Sequence, residues 1–164
     1  MAHITTGVEY GLHCLFYLVG PLEGKQSASA RDLAELQGVP VEYVAKLFTK
    51  LKKAGLVLAS EGVGGGFRLA RPAESITVLE VVEAIEGKKP LFDCQEIRGR
   101  CAVFNGRPPT WATRGTCSIH AVMLEAEAQM RKVLASYSLA DIANSLTCKA
   151  PANYSREVAK WLNG

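Results

Sequence analysis

The segment between Ser29 and Gly55 contains two short amphipathic helical patterns around one glycine turn, and it constrains the fold more than any other. Ser29 and Asp32 have the spacing of a helix N-terminal capping box, and Gly38 is placed to end that helix. Pro40 suits the first turn of a second helix, which Gly55 would end. Its apolar residues recur at helical spacing: Val44, Leu47, Phe48 and Leu51. The pattern predicts a helix-turn-helix.

A glycine-rich hairpin is expected directly after this unit. Residues 56–60 and 67–72 predict two short strands, and residues 61–66 between them contain four glycines. A phosphate-binding loop would continue into a helix through Gly-Lys-Ser/Thr, whereas here a strand pattern follows. The sequence therefore favours a wing whose tip approaches a partner closely.

The rest of the chain predicts helices and one long loop. Helical patterns cover residues 8–18, 78–85, 117–137 and 139–146, with only a last turn near Val158 and Trp161. The fold class is mainly α with a small β-hairpin: a winged helix-turn-helix domain plus a long C-terminal dimerisation helix. The expected organisation is a DNA-binding domain at 1–87, a cysteine-containing loop at 88–116, the dimerisation helix and a short helix at 117–147, and a tail at 148–164.

The composition indicates the cellular compartment of the protein and the chemistry of its cysteines. No basic region followed by an apolar run opens the chain, and no apolar run could span a bilayer, so the sequence favours a cytoplasmic protein without membrane contact. Five cysteines in a reducing compartment suggest metal or redox chemistry rather than disulfides. Cys14 and Cys148 are expected to be buried as small apolar residues. No catalytic set or dinucleotide motif argues for an enzyme.

A basic face on the third helix predicts binding to double-stranded DNA. Lys46, Lys50 and Lys53 share one side of the helix, where they can neutralise phosphates while the helix N-terminus reads bases in the major groove. The net charge of +3 permits a polyanionic partner without requiring one. The predicted interface consists of Ser29, Val41, Glu42, Tyr43, Lys46, Lys50, Lys53, Gly64, Gly65 and Gly66.

These motifs together resemble one family. The runs at residues 47–57, 62–67 and 76–85 are similar to the IscR/NsrR (Rrf-two) family of winged-helix transcription regulators, over roughly residues 1–147. The resemblance implies a homodimer paired through the long C-terminal helix, and hence a palindromic operator. It also implies an iron–sulfur cluster in the loop before that helix.

One branch of the family resembles this chain in its ligand motifs. Its pattern matches Glu9 and His13 near the start, Cys94 within Cys-Gln-Glu-Ile-Arg98, and Cys117. In that branch the Glu and His complete a 2Fe-2S site of the other subunit, which implies Glu9, His13, Cys94 and Cys117 as ligands here. Cys101 and His120 are the alternates.

Two other functions remain open from the sequence. A regulator of the same fold could lack the cluster and sense through thiols or through zinc, for which Cys94, Cys101, Cys117 and His120 would be suitable ligands. A small electron carrier with an incidental helix-turn-helix is the alternative of another class, although the basic helix argues against it.

Overall fold

The computed structural model describes residues 4–20, 27–62 and 65–163. Three helices, Thr6–Phe16 (α1), Ala30–Gln37 (α2) and Val41–Lys53 (α3), precede two strands, Val57–Ser60 (β1) and Gly66–Leu69 (β2). The helices that follow are Val78–Glu86 (α4), Thr110–Thr113 (α5), Ser118–Ala135 (α6), Leu139–Thr147 (α7) and Tyr154–Asn163 (α8). Short 3-10 turns lie at Ala73–Ser75, Ile97–Arg100 and Ala102–Phe104. The predicted fold class is confirmed: the chain is mainly helical with one antiparallel hairpin, in a winged-helix arrangement.

Local capping explains why several helices begin where they do. Ser29, Thr77 and Ser138 each cap a helix through a reciprocal box with the acidic residue three positions later. Each box satisfies two backbone N–H groups that the helix geometry leaves unpaired. These three starts agree with the sequence predictions.

The hairpin is tied to the start of α2. Val57 pairs with Leu69 and Ser60 with Gly66 in the antiparallel register of β1 and β2. Ala28, which precedes α2, exchanges two backbone hydrogen bonds of 3.1 and 2.8 Å with Phe67 of β2. The wing is therefore fixed to the residues that lead into α2, rather than extending alone.

The core forms where the inner faces of the helices meet the hairpin. Val44, Leu47, Phe48 and Leu51 of α3 are all buried, as their helical spacing predicts. The Phe48 ring packs against Phe67 of β2 with centroids 4.9 Å apart. Cys14 is fully buried in this core, and burial raises the pKa of its thiol to about 12, so it acts as a small apolar residue.

The chain divides into two compact units. One consists of residues 89–133 and carries Cys94, Cys101 and Cys117. The other consists of residues 4–88 and 134–163 and contains the helix-turn-helix and the wing. Within the second unit, Thr77 bridges Ser138, so the N-termini of α4 and α7 lie side by side.

Three features differ from the sequence expectations. The tail forms a complete helix, α8, which buries Ala159 and Leu162. The loop at 88–116 contains α5 and two of the 3-10 turns. Cys148 is exposed rather than buried, because it lies at the C-terminal end of α7 outside the core. No helix in the described ranges is long and apolar enough to cross a membrane.

Candidate functional site

The outer face of α3 presents charge to solvent. Glu42, Lys46 and Lys53 are exposed, while Val41, the first residue of the helix, is half-buried. Lysines near a helix C-terminus also interact favourably with the helix dipole, so part of this basic character stabilises α3 itself.

Lys50 has a partner inside the protein. Its Nζ donates a 2.6 Å hydrogen bond to the carbonyl oxygen of Ile85, at the end of α4. The bond satisfies a carbonyl that the helix end leaves without an intrahelical partner. Lys50 thus ties α3 to α4, and Lys46 and Lys53 are the members of the predicted basic face left open to a phosphate.

Tyr43 lies against α1. Its ring meets Tyr10 edge to face, with centroids 5.7 Å apart. A Cβ built on Gly7 would lie 2.9 Å from the Tyr43 hydroxyl. Tyr43 is still 38% exposed, so its ring both packs on α1 and borders the outer face of α3.

The remaining predicted DNA-interface residues have structural roles of their own. The Ser29 hydroxyl accepts the backbone N–H of Asp32 in the α2 capping box. Gly65 and Gly66 are half-buried at the start of β2, and a Cβ on Gly66 would lie 2.5 Å from backbone atoms of Ala28. Gly64 lies outside the described residues. Gly66 is thus required by the contact between the wing and the residues before α2.

Helix α1 has two faces with different roles. Gly7 and Gly11 are buried, and a Cβ on Gly11 would lie 2.5 Å from Cδ1 of Ile85. Glu9 and His13, each two positions further along, therefore point away from α4. Both are exposed and line one groove of about 620 Å³, whose other wall is formed by α7 through Ile142, Ser145 and Leu146.

Arg98 joins two segments of the cysteine-bearing unit. Its guanidinium binds both carboxylate oxygens of Glu96 and donates to the carbonyl oxygens of Thr113 and Gly115 at 3.3 and 2.9 Å. One of these segments follows Cys94 and the other precedes Cys117. A planar guanidinium with several fixed donors is suited to such cross-linking.

Cys94 and Cys117 both lie within electrostatic range of Arg98. The hydrogen bond with Glu96 raises the pKa of Arg98 most, and electrostatic interactions with Cys117 and Cys94 raise it further. Both cysteines are half-buried, whereas Cys101 is exposed between two 3-10 turns. The sequence motif that begins at Cys94 contains Arg98 but does not indicate its role, because only the fold reveals its contacts with residues 113–115.

His120 is half-buried one helical turn after Cys117. Its ring lies 6.1 Å from that of Phe92, centroid to centroid. Within the part of the chain that the structure describes, no three His, Cys, Asp or Glu side chains gather closely enough to hold a metal ion. One chain therefore does not bring together the four ligands of the zinc alternative.

The sequence matches a family of known regulators. The family model Rrf2, described as an iron-dependent transcriptional regulator, matches residues 4–145. The chain is 33% identical over 140 residues to the protein rrf2 of Nitratidesulfovibrio vulgaris, which covers 85% of each chain. It is 30% identical over 139 residues to the regulator NsrR of Shouchella clausii, which covers 85% of this chain and 87% of that protein. These relatives are transcriptional regulators rather than enzymes.

Solved structures agree with this match. The IscR structure from T. potens superposes with a TM-score of 0.67 and 26% identity, covering 92% of each chain. CymR, the global cysteine regulator of B. subtilis, superposes with a TM-score of 0.68 over 88% of this chain and 98% of its own, and at 21% identity it shows the fold alone. Together with the family model, these likenesses establish that the chain belongs to the Rrf2 family of DNA-binding transcriptional regulators.

Proposed function

We propose that this protein is a homodimeric, redox-sensing regulator that acts in the cytoplasm and binds a palindromic operator. Each of its two sites would hold a 2Fe-2S cluster through Cys94 and Cys117 of one subunit and Glu9 and His13 of the other. The observation that carries the proposal is the position of Arg98, which connects the segment that follows Cys94 with the segment that precedes Cys117.

The donor set fits such a cluster. Two thiolates leave two iron positions to be filled, and a carboxylate and an imidazole can both serve iron. Glu9 and His13 are exposed on one side of α1, so a second subunit could reach both. The positive charge of Arg98 would stabilise two thiolates and the anionic group between them.

The bound cluster would supply a one-electron redox change, and its imidazole ligand would raise the reduction potential. The chain's own residues would transmit the event. Glu9 and His13 lie on α1, whose opposite face packs on Ile85 of α4 through Gly7 and Gly11. Ile85 in turn accepts the hydrogen bond from Lys50 of α3. A displacement of α1 would therefore be transmitted through α4 to α3, the helix proposed to read DNA.

On the operator, α3 would enter the major groove and the wing would lie along the backbone. Glu42 and Lys46 are exposed on the outer face of α3, near its N-terminal end, where base contacts are made. Lys53 would neutralise a phosphate at the other end of the helix.

The test is anaerobic purification followed by a visible spectrum and by iron and sulfide assays. The unchanged protein should be coloured, with about two irons and two sulfides per chain. Cys117→Ala, Glu9→Ala and His13→Ala should each lose or alter the absorbance, whereas Cys101→Ala should resemble the parent. If Cys101→Ala bleaches the protein and His13→Ala does not, the proposed ligand set is wrong.

A further inference from the structure

A second cavity lies between α1, α7 and α8, which we name the α8 cleft. Its central walls are Phe16, Tyr17, Leu146 and Tyr154, and its volume is about 380 Å³. Small-molecule sites in proteins have volumes of about 300–1,000 Å³ and are lined mainly by apolar and aromatic side chains. The α8 cleft has the size and lining of such a site.

One end of the cleft carries fixed hydrogen-bonding groups. The Tyr17 hydroxyl donates a 2.8 Å hydrogen bond to Oε1 of Gln37. Burial, and then the neighbouring Tyr154 hydroxyl, raise the pKa of Tyr17, so the Tyr17 phenol stays neutral at physiological pH. A neutral phenol can form a hydrogen bond with a ligand of either charge.

The charged residues that line the α8 cleft determine which ligand charge it favours. Glu74 is a carboxylate at the wall of the cleft, and Asn144 contributes an amide. Among the described residues that line the cleft, none is a lysine or an arginine. A cation would gain the Glu74 charge and the faces of aromatic rings, whereas an anion would be repelled by the Glu74 charge.

We propose that the α8 cleft binds a small aromatic molecule that carries a basic amine. The ring would lie among the aromatic side chains, and the ammonium group would face Glu74. The proposal goes beyond redox sensing and does not depend on the cluster. One wall of the cleft is α8, which lies outside the residues 4–145 that the family model matches.

The test compares three probes of matched size by isothermal titration calorimetry: 2-phenylethylamine, 2-phenylethanol and phenylacetate. The amine should bind roughly fivefold or more tightly than the carboxylate, with the alcohol between them. Glu74→Gln should remove most of the preference for the amine over the alcohol. Equal affinities for amine and carboxylate, or no binding of the amine, would overturn the proposal.

Two variants place the binding in the cleft. Ala143→Leu fills space in the cleft and should weaken amine binding about tenfold or more, because a close-packed wall leaves no room for the ring. Ala152→Leu makes the same change at an exposed position and should bind like the parent. Tyr154→Ala, which removes a wall, should also weaken binding and serves if Ala143→Leu folds poorly. Parent-like binding in both cleft variants would place the ligand elsewhere.

Discussion

At the scale of single residues, Arg98 determines the geometry of the proposed metal site. It is the side chain that binds Glu96 and, across the loop, the backbone of Thr113 and Gly115. Glu96 adopts a left-handed backbone conformation with φ of 46°, which is unfavourable for a residue with a side chain. The ion pair with Arg98 helps to hold that conformation.

Arg98→Lys should weaken the cluster without removing a ligand. A lysine keeps the charge but cannot bind Glu96 and two carbonyl groups together. Loss of an outer partner of this kind typically lowers metal affinity about 10- to 100-fold. We expect iron to be removed by a chelator at least about tenfold faster than from the parent, measured by the decay of visible absorbance. Arg107→Lys, an exposed change in the same unit, should leave the rate unchanged.

Glu80 should make the stability depend on pH. Partial burial raises the pKa of Glu80. Hydrogen bonds from the Thr77 N–H, from Arg71 and from the Thr77 hydroxyl lower this pKa by more, so it lies below the ordinary value of 4.5. The stabilisation is therefore fully present above the unfolded-state pKa and is lost as pH falls through the lower, folded-state pKa.

Glu80→Ala should then cost about 1 kcal/mol at neutral pH, since the side chain is 38% exposed and solvent screens its ion pair. The difference in Tm between parent and variant should shrink as the pH falls below 4.5. Glu35→Ala, at an exposed position of α2, is the control and should show a smaller difference at neutral pH. A constant difference across this pH range would contradict the assignment.

At the scale of elements, the wing depends on a close approach of two backbones. Gly66→Ala would place a Cβ 2.5 Å from the carbonyl group of Ala28, so the bridge between Ala28 and Phe67 must open. We expect a loss of about 1–3 kcal/mol, as for other overpacked sites, together with weaker operator binding. Gly20→Ala, where a Cβ would meet nothing within 4 Å, should change neither the Tm nor the affinity.

We expect different lysines of α3 to contact DNA and to support the fold. Lys46→Ala should reduce the slope of log affinity against log salt by about one unit, because one phosphate contact is lost. Lys50→Ala should instead lower the Tm, because the carbonyl of Ile85 loses its charged donor, and should leave the slope nearly unchanged. If Lys50→Ala changed the salt slope and Lys46→Ala did not, Lys50 would be the residue that contacts DNA.

The elements that the sequence predicted well are those with strong local signals. Helix α2 begins and ends where Ser29, Asp32 and Gly38 indicate, because capping and a left-handed glycine are local effects. Helix α8 is predicted only as a last turn near Val158 and Trp161. The complete helix buries Ala159 and Leu162, and such packing is not a local signal of the sequence. The role of Arg98 was missed for the same reason, since its partners lie up to 17 positions away.

At the scale of the whole molecule, the long helix α6 presents apolar residues that its own chain leaves exposed. Ile119, Val122 and Val133 are 63, 64 and 56% exposed, and no residue of α6 is buried. Exposed apolar side chains in such number on one helix are typical of a protein interface. They support the proposed dimer, in which each cluster site draws on both subunits.

Mixing two defective chains tests that arrangement directly. Cys94→Ala lacks a thiolate but keeps Glu9 and His13, whereas His13→Ala lacks the imidazole but keeps both cysteines. Each variant alone should be pale when purified without air. When the two chains are co-expressed in equal amounts, half of the dimers should be mixed, and each mixed dimer should contain one complete site. The absorbance per chain should then recover to about one quarter of the parent value.

A pale mixture, or His13→Ala fully coloured by itself, would show that the ligands do not come from two subunits. Adding Val122→Glu to both chains should abolish the recovery, because a charge on the apolar face of α6 would prevent pairing.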